Sequence, residues 1–351
     1  MKPLLSYSMI CGAALIAAGG SAGAQTAPDS LAQTSAEQPA IPPKYEVEIE
    51  QDVVYSIAEG YWTEGRGAKG KLDFMFRKKG KPAPLELKMD IYKPVGVGDA
   101  GRPLLILSHG GAYYNGSKDE LGQVEWCRYF ASIGYIAASI DYRLGFKLKK
   151  ADVTRAEDDA IEDARNALTY LLGREDLRID AERVFLAGTS AGGAISLALV
   201  YGTAAPATAV AASAPDAVTM AAPLPCRVRA IGNLWGYVHD LAVLENARVP
   251  IISYQSERDP VVPYREGYSL GARTLTEKAY GTLSVHEKAV SLGIPAEHHP
   301  CPEKGHRLHM DKKGTSLTPR FYEIRDSLAR FFVEADEAHL LDSLRRKEVP
   351  H

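Results

Sequence analysis

Cysteine is scarce in this chain, with four among 351 residues. Cys11 lies in an apolar leader, which leaves Cys127, Cys226 and Cys301 for the mature protein. That is enough for one disulfide and a spare thiol, and sequence does not choose the pair. No CxxC or Cys/His spacing of the zinc-ligand kind occurs, so a zinc site is not expected. Charge of one sign is also missing. A formal net charge of −3 gives the whole chain no electrostatic reason to bind nucleic acid or an anionic membrane. The basic run at residues 77–81 reads as a solvated hairpin tip. Beyond the N-terminus no apolar run is long enough to span a bilayer, so stable membrane insertion is not expected.

The first residues read as an address. Lys2 precedes a small, apolar stretch to about Ala18, and Ala22-Gly23-Ala24 then offers an A-x-A cleavage site. We expect residues 1–24 to be a signal peptide, residues 25–43 a flexible linker rich in Ala, Gln, Ser, Thr and Pro, and residues 44–351 the folded domain. An exported protein, periplasmic or extracellular, follows from that expectation.

The body alternates between strand and helix patterns. "VVYSIAEGYW" and "LELKMDIYKP" suggest antiparallel opening strands, while "PLLILSHGG", "GYIAASIDYR", "RVFLAGTSAGG", "VRAIGNLWG" and "VPIISYQSERD" are apolar runs suited to a buried parallel sheet. The clearest helix spans residues 156–172. Ala160, Ala164, Ala167, Leu168 and Leu171 share its apolar face, with Glu157, Asp158, Glu162 and Arg165 mainly opposite. Asp180 reads as a cap or turn residue. This alternation predicts an α/β fold, a mostly parallel central sheet with helices on both faces. Ligands of such sheets sit at the carboxyl ends of the strands.

One strand end carries Gly188-Thr189-Ser190-Ala191-Gly192, a G-x-S-x-G sequence between an apolar strand and a small-residue helix. The motif is weak alone, and its strand-turn-helix setting strengthens it. A serine hydroxyl needs a base, and the base needs an orienting group. Asp259 follows the strand "VPIISYQ", and His306 sits in a glycine-containing loop before the last helix. For the base, His309, His298 and His299 are weaker alternatives, and Glu257 is the alternative acid. Neutral imidazole is the form that accepts a proton, which predicts loss of turnover on acidification.

The stretch "LLILSHGGAYYNG" at residues 104–116 ends a buried strand in a turn with few side chains. Such a turn suits an oxyanion hole, for which Gly111, Ala112 and Ala191 offer backbone N–H groups. His109 then serves as a scaffold residue. Together "HGGAYYNG", "DYRL", "GTSAGG", "DPVVPY" and "GH" resemble α/β-hydrolase esterases related to hormone-sensitive lipase and to the secreted bifunctional feruloyl and acetyl-xylan esterases. The resemblance covers residues 45–333. In that group HGG, a small residue and a glycine four positions later supply the oxyanion hole, and Gly116 holds that later position; Ala112, standing where a third glycine is expected, keeps the N–H donor and loses only glycine's backbone freedom. The resemblance implies ester hydrolysis through an acyl-enzyme with no metal or organic cofactor, Ser190 attacking, His306 relaying the proton and Asp259 holding the imidazolium.

Tyr113, Tyr114, Trp235, Tyr237 and Tyr264 suggest an aromatic mouth, with Tyr113 and Trp235 as the substrate-binding candidates. A small-molecule or polymer-linked ester with a short acyl or aryl group would suit it. The short Ala- and Pro-rich segment at residues 201–227 argues against a large cap, and residues 60–74 could form a flap or a plain hairpin. Ser190 at the elbow excludes dehalogenase and epoxide hydrolase chemistry, which need a carboxylate there, and there is no room for the propeller of prolyl oligopeptidases. A small serine peptidase or amidase remains the alternative.

Overall fold

The computed structural model describes residues 39–64, 81–98, 100–147, 149–202 and 223–348. The signal-peptide expectation, most of the linker, the basic hairpin tip, much of the possible flap and most of residues 201–227 therefore lie outside the described residues.

Two antiparallel strands open the fold, β1 (Val47–Gly60) and β2 (Ala83–Pro94). Then come β3 (Arg102–Ser108), α1 (Leu121–Ser132), β4 (Ile136–Ile140), α2 (Lys150–Leu172), β5 (Ile179–Thr189) and α3 (Ala191–Tyr201). The remainder comprises β6 (Val228–Leu234), β7 (Ile251–Ser256), β8 (Glu266–Tyr268), β9 (Lys278–Tyr280), α4 (Thr282–Ser291), β10 (Ala296–Cys301) and α5 (Pro319–Glu348). Eight strands form one sheet in the order β1-β2-β4-β3-β5-β6-β7-β10, while β8 and β9 pair apart from it. From β4 through β10 every pairing is parallel, as expected of strands buried on both faces.

Two apolar cores lie on opposite faces of this sheet. Along β3 the side chains alternate between them, Leu104 and Ile106 into one, Leu105 and Leu107 into the other, the period of two that a strand imposes. The first core takes α2, α3 and α4 through residues such as Ala164, Leu168, Leu197 and Val285. The second takes α1 and α5 through Trp126, Phe130, Phe321 and Phe332.

Helix α2 begins six residues earlier than its apolar periodicity indicates. Its first turn is polar and carries Asp152, a charge that complements the helix N-terminus. Ala156, Ala160, Ala164 and Ala167 are buried on α2, and these small residues allow a close approach to the neighbouring chain. Asp163 is also fully buried. It accepts hydrogen bonds from the Arg143 amide (2.7 Å) and side chain (2.9 Å), which compensates the cost of burying charge. Asp180 lies inside β5, where its Oδ1 accepts the Glu182 N–H at 2.9 Å.

The chain leaves β3 toward β4 on one side, yet leaves β5 toward β6 on the other. Adjacent strands whose connections diverge open a crevice at their carboxyl ends. Ser108 of β3 pairs with Gly188 of β5, so residues 109–116 and 189–193 emerge side by side at that crevice.

Candidate active site

Ser190 sits at the tip of β5 with φ 55° and ψ −117°. A non-glycine residue in such a conformation is strained by roughly 1–3 kcal/mol. Backbone bonds over-determine it: the Ser190 N–H donates to Leu234 O (2.8 Å), and Ser190 O accepts the Ala194 N–H (3.1 Å). Since its own amide is engaged, the free donors of this turn begin with Ala191, at the first position of α3. The turn also needs glycine. A Cβ on Gly192 would lie 1.9 Å from Ser108 O, so the helix start rests directly on the neighbouring strand.

The hydroxyl of Ser190 lies 2.8 Å from His306 Nε2, and His306 Nδ1 lies 2.7 Å from Asp259 Oδ2. Asp259 has a fully buried side chain that is held from three directions. Its Oδ1 accepts the Val261 (2.8 Å) and Val262 (3.2 Å) amides, while Gln255 Nε2 approaches Oδ2 at 3.3 Å. Gln255 is itself buried and accepts from the Thr282 amide and hydroxyl. Sequence reasoning misses Gln255, because a glutamine inside an apolar strand has no motif; its position four residues before Asp259 is the one available signal.

Among the alternatives, His309 is sandwiched between Trp126 and Trp235, with ring centroids 5.1 and 5.2 Å away. Burial, aided by the nearby positive charge of Arg307, pushes its pKa down to about 3. His298 packs between the rings of His286 and Tyr264, and His299 stacks on Tyr254 at 4.3 Å. Glu257 is exposed.

Beyond β3 the chain turns sharply. Gly111 has φ 114°, and a Cβ there would collide with Asn115 O at 2.0 Å; its carbonyl accepts from both Tyr114 and Asn115 N–H groups. Ala112 and Tyr113 follow with φ of 54° and 57°. Two successive non-glycine residues at positive φ cost on the order of 1–3 kcal/mol each, and persist where surrounding contacts enforce them. Alanine at 112 therefore keeps the N–H but does so under strain, a feature its residue type does not reveal. His109 is fully buried beneath the turn. Its Nδ1 lies 2.7 Å from Gly110 O, its ring stacks on Tyr142 at 4.3 Å, and the Tyr142 hydroxyl donates to His109 O. Burial pushes the His109 imidazole down to about 4, so it stays neutral near pH 7.

The two aromatic candidates are placed differently from the sequence expectation. Tyr113 and Trp235, expected at the mouth, are buried at 3% and 1% exposure. Trp235 packs beside His309 and lies edge-on to His306 at 6.3 Å. The Tyr113 hydroxyl lies 3.1 Å from Glu157 Oε1 and 3.2 Å from the Tyr237 hydroxyl. A motif places a residue in the chain but does not aim its side chain. Tyr114 instead remains half-buried and meets Trp62 and Phe146 edge-to-face at 4.7 and 5.1 Å.

Cys127, Cys226 and Cys301 are all free thiols, so no disulfide links them here. Among the described residues no group of three His, Cys, Asp or Glu side chains is arranged to hold a metal ion, and no helix is long and apolar enough to cross a membrane.

A parallel sheet with helices on both faces, its switch point occupied by a strained serine on a strand-to-helix elbow, defines an α/β-hydrolase. Residues 89–249 match the BD-FAE family, whose members are bifunctional feruloyl and acetyl-xylan esterase-like. Among solved structures, Thermogutta terrifontis esterase 2 phosphorylated by paraoxon aligns with a TM-score of 0.52 at 19% identity, over 84% of this chain and 95% of that one. The propionate-bound form of the same esterase aligns at 0.51 and 20% identity, over 71% and 90%. The chain is also 26% identical over 144 residues to a non-reducing polyketide synthase of Acremonium egyptiacum, covering 40% of this chain and 7% of that protein. It thus spans under a tenth of the length of the curated relatives it matches. The esterase neighbours, at 19–20% identity, share the fold, and the family match supports a carboxylesterase hydrolase.

Proposed function

We propose that this protein is an exported serine carboxylesterase that hydrolyses short-acyl or aryl carboxylic esters through a Ser190-His306-Asp259 acyl-enzyme mechanism. The observation that carries the proposal is the hydrogen-bonded line from Asp259 through His306 to Ser190, ending beside the turn at Gly111 and Ala112. Ser190 Oγ attacks the ester carbonyl carbon as His306 Nε2 takes its proton. The carbonyl π pair moves onto oxygen, and the N–H groups of Gly111, Ala112 and Ala191 receive the oxyanion. Collapse expels the alcohol, which takes the proton from His306. Water, deprotonated by His306, then releases the acid and restores Ser190.

A short acyl group is favoured by the likeness to an esterase solved with propionate bound. The half-buried aromatic group of Trp62, Tyr114 and Phe146 beside the turn favours an aryl ester. Ser190→Ala, assayed with acetyl, butyryl, octanoyl and feruloyl esters, tests the mechanism. We expect turnover to fall by at least about 10⁴-fold; a folded variant with wild-type turnover would refute it. A matched 4-nitrophenyl ester and 4-nitroanilide pair separates esterase from amidase. Sequencing the N-terminus of the exported protein tests cleavage after Ala24.

A further inference from the structure

Sequence periodicity puts Glu157 on the polar face of α2, but its side chain is only 13% exposed. It turns inward, where Oε1 faces the Tyr113 hydroxyl (3.1 Å) and Oε2 faces His239 Nε2 (3.0 Å). His239 Nδ1 in turn lies 2.7 Å from the Lys278 carbonyl oxygen. A carbonyl oxygen only accepts, so Nδ1 must donate. With Nε2 donating to the carboxylate, the imidazole carries both protons and is a cation. The donors then run one way: Tyr237 hydroxyl to Tyr113, Tyr113 hydroxyl to Glu157, His239 to Glu157.

We propose that Glu157 and His239 are positioning residues for the oxyanion turn, and that loss of the His239 proton releases that turn and ends turnover at alkaline pH. The inference rests on the esterase reading of the site. Tyr113 directly follows Ala112 and shares its positive φ. Besides its ring, one backbone contact holds it, the Gly145 N–H donated to Tyr113 O at 2.8 Å. Anchoring the phenol therefore fixes the strained backbone that presents the Ala112 amide. The charges facing His239 favour its cation: Glu157 and Asp158 from α2, and Glu277, which directly precedes β9 and is itself paired with Lys150 at 2.7 Å; the Tyr237 ring packs at 60° to the imidazole, 5.2 Å away. Asp240 is committed to the Ala242 amide, and the Lys278 ammonium is drawn away to Glu266. Burial opposes the charge, but the bond and charge of Glu157 and the Lys278 carbonyl override it and raise the pKa to about 9.

The test compares wild type, Tyr113→Phe, Glu157→Gln and His239→Gln on 4-nitrophenyl butyrate from pH 6.5 to 10, with background hydrolysis subtracted. Thermal melts and fluorophosphonate labelling of Ser190 accompany each. We expect Tyr113→Phe and Glu157→Gln to lower kcat by about 10- to 100-fold with KM within about threefold, the size of effect a small misplacement of a catalytic group produces. Labelling should remain stoichiometric. In wild type kcat should fall above about pH 9, and in His239→Gln that limb should vanish. Wild-type kcat in folded Tyr113→Phe and Glu157→Gln would overturn the inference, as would an alkaline limb that persists in His239→Gln. The latter, altered at a partly exposed residue, keeps the test open should Glu157→Gln fail to fold. If wild type neither labels at Ser190 nor turns over, the esterase reading itself fails, an outcome distinct from either of these.

Discussion

Replacing Asp259 by asparagine changes one atom and should disable the base. Oδ1 of Asp259 accepts two backbone amides, Val261 and Val262, while Oδ2 faces His306 Nδ1 at 2.7 Å. An amide side chain cannot serve both sides as an acceptor. Its oxygen satisfies the two N–H groups, which leaves its NH₂ pointing at His306 Nδ1 and against the Gln255 Nε2 donor, 3.3 Å from Oδ2. Nδ1 must then accept, the ring proton moves to Nε2, and the Ser190 hydroxyl loses its proton acceptor. Loss of the correct tautomer in a Ser-His-Asp system costs roughly 10⁴-fold in kcat, or about 5.4 kcal/mol at 1.36 kcal/mol per decade. KM should stay within about threefold, because Asp259 does not face the crevice. The assay is kcat and KM on 4-nitrophenyl butyrate at pH 7.5, with a thermal melt to establish folding. A folded Asp259→Asn enzyme within about tenfold of wild-type kcat would refute the reasoning.

Other expectations follow from the same contacts. Gly192→Ala places a methyl against Ser108 O and should destabilise the fold by about 3 kcal/mol; a wild-type melting temperature would sink that argument. Ala112→Gly relieves a positive φ and keeps the N–H, so turnover should stay within about threefold, and a tenfold loss would show that the methyl itself matters. Ala112→Pro deletes the N–H, but proline's φ near −65° is also incompatible with the observed 54°, so it should lower the melting temperature as well as activity. Lys118 is 3% exposed and contacts Asp90, Asp52 and Asp119 within 3.2 Å, so Lys118→Met should cost about 3 kcal/mol by stranding Asp90; an unchanged urea midpoint would contradict this. His239, raised to about 9, contributes stability that is complete below about pH 6.5 and lost as pH rises through 9. The melting-temperature gap between wild type and His239→Gln should therefore be present at pH 6 and absent at pH 10, and a constant gap would deny the linkage.

The alternation of apolar runs makes the parallel sheet legible, because strands buried on both faces leave continuous hydrophobic stretches. Ser190, Asp259 and His306 are legible as a set for a related reason: each follows a strand or occupies a loop, and chain order limits which loops share an edge. The pair β8 and β9 is not legible, being three residues per strand with no alternation. Nor is helix α4, whose ten residues carry little apolar periodicity. The directions of Tyr113, Trp235 and Glu157 are hidden too. Each is decided by partners distant in sequence, such as Tyr237, His309 and His239, and local pattern does not contain them.

A Cβ added to Gly110 would lie 3.2 Å from the Ser190 Cβ, and one added to Gly192 would overlap Ser108 O. Two chain segments some eighty residues apart thus touch with a glycine on one side of each contact, which leaves no room for a larger side chain. For anyone seeking to alter substrate preference, libraries drawn from residues 108–113 and 188–193 would mostly yield broken proteins. Useful variation belongs on the side chains of Tyr114 and Phe146, where substitution reshapes a surface, whereas Trp62 donates its indole N–H to Tyr114 O at 3.0 Å and belongs to the frame.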